Sequence, residues 1–116
     1  MNTHDFTKAQ RRELRRLNSL AHERELGAAA GRLQEEFERW RRGGMNVFDL
    51  DEHIHRFHDG ISRELYKSYV KGHADWNVAW AIAREVLKES EIDPAILELL
   101  GRQIAFLKRD KPENGA

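Results

Sequence analysis

The sequence predicts an all-α protein: a compact bundle of four to five short amphipathic helices. Three observations carry this. Apolar residues recur at spacings of three and four almost from end to end. No stretch alternates apolar and polar residues for long enough to make a strand. Only two prolines occur, Pro94 and Pro112.

The first helix is expected to begin near Thr7. Thr7 and Gln10 have capping-box spacing, in which a hydroxyl and an amide satisfy two orphan N–H groups. Its apolar face is Leu14, Leu17, Leu20 and Ala21, with Lys8, Arg11, Arg12, Arg15 and Arg16 opposite. Gly27 and Gly31 bracket three alanines, so a break or kink is expected near Gly27. A second helix should cover about 28 to 42, with a seam through Leu26, Ala30, Leu33, Phe37 and Trp40 that ends at Gly43-Gly44.

The third helix is expected over about 50 to 70, capped by Asp49 or a neighbour. Its stripe is Leu50, Ile54, Phe57, Ile61 and Leu65. Gly60 lies beside that stripe, and an interior glycine suggests close packing against another helix. Asp75 should cap a fourth helix. Trp76, Trp80, Ala83 and Leu87 form one of its stripes and Val78, Ile82 and Val86 another, which predicts that this helix is the most enclosed. Asp93-Pro94 is a restart signal, Asp as N-cap and Pro at the first helical position. Leu97, Leu100, Ile104 and Leu107 follow as a fifth stripe. The expected organisation is one helical domain over 1–107 and a frayed polar tail over 108–116.

Composition narrows the function classes. Charged residues are 34% and hydrophobic ones 40%, too apolar for a disordered chain. Twenty Lys and Arg balance twenty Asp and Glu, which argues against global attraction to nucleic acid or anionic membrane. The absence of Cys rules out disulfides, thiol catalysis and cysteine metal ligands. There is no apolar run of bilayer length and no signal-peptide core. A cytoplasmic protein with no membrane partner is expected. No Gly-rich phosphate loop, nucleophile elbow or Ser/His/Asp constellation is present.

One segment is dense in ligand-type side chains, Asp51-Glu52-His53-Ile54-His55-Arg56-Phe57-His58-Asp59. Glu52-x-x-His55 puts a carboxylate and an imidazole one turn apart, as in carboxylate di-iron bundles. Asp59 lies one turn beyond His55, and Glu36 is a conceivable further ligand. Glu52, His55 and Asp59 sit about 120 to 180° from the apolar stripe, so such a site has to lie at a subunit interface that completes it or near solvent, not inside a monomeric bundle. Iron, manganese and zinc all suit this donor set. The competing reading is a solvated polar face with no cofactor. A phosphohydrolase order of His22, His58-Asp59 and Asp75 or Asp93 arises too easily in a charged helical chain to carry weight. His53 and His58 flank the stripe and are expected to cover the core edge.

The cationic face of the first helix, Arg11, Arg12, Arg15 and Arg16, offers contact to nucleic acid or an acidic partner. It lacks interleaved aromatics and any global positive charge behind it. Trp40, Trp76 and Trp80 are read as core. Tyr66 and Tyr69 lie off the centre of their stripe and suit a partner surface that is half apolar and half wet.

The block Ile54-His55-Arg56-Phe57-His58-Asp59-Gly60, followed by Arg63-Glu64-Leu65-Tyr66, resembles one in a group of short bacterial helical proteins of no known activity. Phe37-Glu38-Arg39-Trp40 and Val47-Phe48-Asp49-Leu50 fit the same resemblance, which spans roughly residues 33 to 90. It implies an all-α fold and a bacterial, intracellular setting, and it implies no catalytic residue. The leading expectation is an interaction or regulatory module, more binder than enzyme, that associates with itself or another protein. A metal-binding protein comes second, and a nucleic-acid contact third.

Overall fold

A computed structural model describes residues 6–109, and these are all helical or connecting segments, with a short 3-10 helix at Glu89–Glu91. The elements are α1 (Lys8–Arg41), α2 (Val47–Arg56), a π-helical turn (Phe57–Ser62), α3 (Arg63–Lys71), α4 (Ala74–Ala83), α5 (Pro94–Leu99) and α6 (Gly101–Arg109). The chain divides into two compact units. One comprises residues up to Ala21 together with those from Gly72 onward; the other is His22–Lys71.

The start of α1 is as the capping box requires. The Thr7 hydroxyl accepts from the Gln10 N–H at 3.0 Å, and the Gln10 side chain accepts from the Thr7 N–H at 2.9 Å. The break expected near Gly27 is absent: α1 is one helix of 34 residues. Each interior glycine costs only about 1 kcal/mol relative to alanine, and Ala28, Ala29 and Ala30 between them are the best helix formers. A single long helix thus replaces the expected first and second short ones.

α1 stops at Gly43-Gly44. Gly43 adopts φ +84°, its N–H reaches the Trp40 carbonyl at 3.0 Å, and the Gly44 N–H reaches the Arg39 carbonyl at 2.8 Å. α4 ends with the same pair of bonds. The Glu85 N–H meets the Ile82 carbonyl at 3.1 Å and the Val86 N–H meets Ala81 at 2.8 Å. Here the left-handed position holds Glu85, at φ 62°. A glutamate pays a steric cost there that glycine does not. Glu85→Gly is therefore expected to stabilise the protein by about 0.5 to 1 kcal/mol, read as a rise in the denaturant midpoint; an unchanged or lower midpoint would contradict the strain.

In the first unit the core is Phe6, Leu14, Leu17, Val78, Ile82, Leu87, Ile92, Ile96, Leu100 and Ile104, all buried. α4 lies against α6. α4 is the most enclosed helix, as its two stripes predict: Val78, Ala79 and Ala81 are fully buried. Its N-cap is His73 rather than Asp75. Asp75 is instead buried in the first turn and accepts from the Gln103 side-chain amide at 3.3 Å. The Asn77 amide donates to Asn18 at 2.9 Å, joining α4 to α1. Asp93 accepts from the Ala95 N–H at 2.9 Å with Pro94 at the first helical position, as expected. The fifth stripe is split between α5 and α6. Of the expected frayed tail, Lys108 and Arg109 belong to α6, and 110–116 lie outside the described residues.

The second unit is an antiparallel helical hairpin. Residues 22–41 of α1 form one arm, and α2, the π-helical turn and α3 form the other. α2 begins earlier than expected because Asn46 caps it, accepting from the Asp49 N–H at 2.8 Å. The π-helical turn has a sequence cause. Phe57, Ile61, Leu65 and Tyr69 step by four three times in succession. In a straight α-helix each such step overshoots a turn by about 40°. One wider turn, closed i→i+5, takes up that drift. Leu65 and Tyr69 are buried beyond it, whereas Ile61 within it stays 40% exposed. Gly60 lies in this turn, but the expected close packing is not there: a Cβ added to it would meet nothing within 4 Å.

Candidate functional site

The hairpin is tied at two levels. At its open end Tyr69 is buried, stacks on His22 with ring centroids 5.2 Å apart, and donates its hydroxyl hydrogen to the Glu25 carboxylate. Burial pushes the Tyr69 phenol well above its ordinary value of 10.0, and the hydrogen bond to Glu25 adds to the rise. Nearer the closed end, His53 Nε2 lies 3.4 Å from a Glu36 carboxylate oxygen, which also takes a 3.0 Å bond from Arg39.

Between these ties the arms leave a cleft of about 280 Å³. Its apolar lining is Ala29 and Leu33 from α1 with Phe57 and Ile61 from the π-helical turn. Its polar rim is Arg32, Glu36, His53 and Arg56. Arg56 donates to Glu52 at 2.7 Å. Arg32 makes no hydrogen bond or ion pair among the described residues. A second hollow of about 250 Å³ lies at the closed end, where Glu52 and His53 share the lining with Arg39 and Arg56. Asp49 adds a second carboxylate to that lining, so two carboxylates face two guanidinium groups and Glu52 is already tied to Arg56, which leaves no net negative charge there to attract a cation.

The expected ligand set is not drawn together. Glu52 pairs with Arg56, and His55 Nε2 lies 3.5 Å from Asp51, both one turn along their own helix. Asp59 meets His58 at 3.1 Å. Glu36 faces His53 in place of His55. Among the described residues no group of three or more His, Asp and Glu side chains is arranged to hold a metal ion. His53 is half-buried and covers the edge between the arms as expected, but His58 is largely exposed and does not.

On α1, Arg12, Arg15 and Arg16 are exposed, whereas Arg11 is half-buried and donates to the Phe6 carbonyl at 2.6 Å. Arg16 is paired with Glu13 at 2.7 Å, and that hydrogen bond holds the Glu13 carboxyl below its usual range. One of the four expected cations thus serves to close the helix start, and a second is partnered on the helix itself.

The aromatic residues depart most from expectation. Trp40 and Trp76, read as core, are 38% and 40% exposed. Trp76 meets Phe106 edge-on at 6.3 Å, and Trp80 is half-buried beneath the Arg84 guanidinium. Tyr69, read with Tyr66 as a partner surface, is buried by its bond to Glu25, which leaves Tyr66 as the exposed member. Phe37, Trp40, Val47 and Phe48 are all exposed around the Gly43-Gly44 turn, Phe48 to 82%. Periodicity places Val47 and Phe48 ahead of the expected helix start near residue 50, whereas they form the first turn of α2.

In the first unit a hollow of about 700 Å³ has Ile82, Ala83 and Leu87 in its lining, with Glu85, Lys88, Glu89 and Lys108 around them. Lys108 is already tied to Glu89 at 3.5 Å. Among the described residues no helix is long and apolar enough to cross a membrane. Comparison with protein-family models, curated proteins and solved structures finds no match to this chain.

Proposed function

We propose that the chain is a protein-interaction module that pairs with a second copy of itself through the closed end of its hairpin. The observation behind this is the group Phe37, Trp40, Val47 and Phe48, four large apolar side chains exposed within twelve residues. Exposed apolar patches of this kind mark association surfaces, and Trp and Phe are the types that carry interface energy. The partner need not carry opposite charge: residues 22–71 hold nine basic and ten acidic side chains, so two copies face no net repulsion of consequence. A twofold pairing would set the same patch on each side.

In sedimentation at micromolar concentration the protein is expected at twice its 13.6 kDa mass. The double variant Trp40→Glu, Phe48→Glu should sediment as a monomer with unchanged helical circular dichroism, since Phe48 is largely in water and Trp40 is partly so, outside the buried core. A wild-type monomer across that concentration range would end this reading.

A further inference from the structure

We infer that the cleft between the hairpin arms is a binding site for a small amphipathic monocarboxylate, a compact apolar tail carrying one anionic head. This goes beyond the proposed self-association and does not depend on it. Three independent features converge on the cleft. Its volume, about 280 Å³, sits at the low end of small-molecule sites, which bounds the ligand to a short tail. Its apolar wall comes partly from Phe57 and Ile61, both in the π-helical turn, and π-helical turns are often found at functional sites. Its rim carries charge of one sign to spare: Glu36 is met by Arg39 and His53, Arg56 is met by Glu52, and Arg32 has no partner among the described residues.

The chemistry of the ligand follows from that arrangement. An apolar tail covers Ala29, Leu33, Phe57 and Ile61, replacing water on surface that the two arms leave open. A carboxylate at the mouth accepts a forked pair of hydrogen bonds from the Arg32 guanidinium, a charge-assisted geometry that an ammonium or hydroxyl head cannot match. A cationic head would face Arg32 and Arg56 and be repelled. A neutral head would leave Arg32 as it is.

The test uses the full chain and octanoate as the probe, with octanol as the uncharged control, followed by isothermal titration calorimetry. Saturable one-to-one binding of octanoate is expected, with octanol at least about tenfold weaker, a difference of about 1.4 kcal/mol. Arg32→Gln, an exposed substitution that leaves the fold alone, should weaken octanoate by a similar factor and leave octanol unchanged. Ala29→Leu should fill the cleft and remove both. The same titration on the Trp40→Glu, Phe48→Glu variant should give the same affinity, which keeps failure of this site distinct from failure of self-association. Equal affinity for octanol and octanoate, octanoate affinity unaltered by Arg32→Gln, or no saturable binding would each overturn the assignment.

Discussion

Tyr69→Ala is expected to lower the unfolding free energy by about 3 to 5 kcal/mol, the usual range for emptying a large buried aromatic site. The residue joins the two arms of the hairpin through a stack on His22 and a hydrogen bond to Glu25. Tyr69→Phe separates these contributions. It keeps the ring and removes only the hydroxyl, leaving the half-buried Glu25 carboxylate without that donor, at a cost of about 1 to 3 kcal/mol. Both are read from urea midpoints.

The same residue sets a pH dependence whose direction follows from its raised phenol. In the unfolded chain Tyr69 ionises near its ordinary value of 10.0, while in the folded protein burial and Glu25 keep it protonated well above that. Below pH 10 both states hold the proton and the full contribution is present. Above it the unfolded state releases a proton that the folded state keeps, so stability falls with rising pH, by at most about 1.4 kcal/mol per pH unit. Tyr69→Phe should lose that alkaline slope. Tyrosinate absorbance should show one tyrosine that ionises only as the protein unfolds; a slope unchanged in the variant would refute the assignment.

Gly27→Ala and Gly31→Ala together should raise stability by about 1.5 to 2 kcal/mol. Both lie inside α1, and at neither would a new Cβ meet any atom within 4 Å. The substitution therefore gains helix propensity, about 0.8 to 1 kcal/mol at each position, with no steric opposition. The readout is again the denaturant midpoint. A fall instead of a rise would mean that these glycines are needed for a contact made only in an assembly, and the double variant should then also be checked by sedimentation.

Those glycines also show where sequence reasoning reached its limit. Thr7 with Gln10 and Asp93 with Pro94 were legible because their partners lie two to three residues away and the cap chemistry is local. The continuity of α1 was not, because a cost of about 1 kcal/mol per glycine is decided by the rest of the helix. The enclosed character of α4 could be read from its two stripes. The exposure of Trp40 and Trp76 could not, since a stripe shows which face is apolar and not whether anything covers it. Tyr69 finds Glu25 across 44 positions of chain, beyond any local pattern. In the candidate site, Glu36, expected as a conceivable metal ligand, lies beside the His53 imidazole, while Glu52 and His55 of the Glu52-x-x-His55 pattern each pair with another residue of their own helix. Within a helix that spacing is satisfied by neighbours such as Asp51 and Arg56, which compete for both groups. The π-helical turn was legible in principle from the run of fours through Phe57, Ile61, Leu65 and Tyr69.

The first unit is built from two stretches of chain with the whole hairpin, His22–Lys71, inserted between them. For a flexible segment of that length, about fifty residues, bringing the ends together costs about 3.5 kcal/mol in entropy. A hairpin that closes early removes most of that cost, because its two arms run back on each other and are pinned at the base by Tyr69. Within each arm the helical contacts are local and form quickly, and the ties between the arms, up to 47 positions apart, follow. A hairpin formed first would hold the two stretches of the first unit at a short effective separation along the chain. Tyr69→Ala, which loosens the base of that hairpin, is then expected to lower the folding rate more than it raises the unfolding rate, read from the two arms of a denaturant chevron.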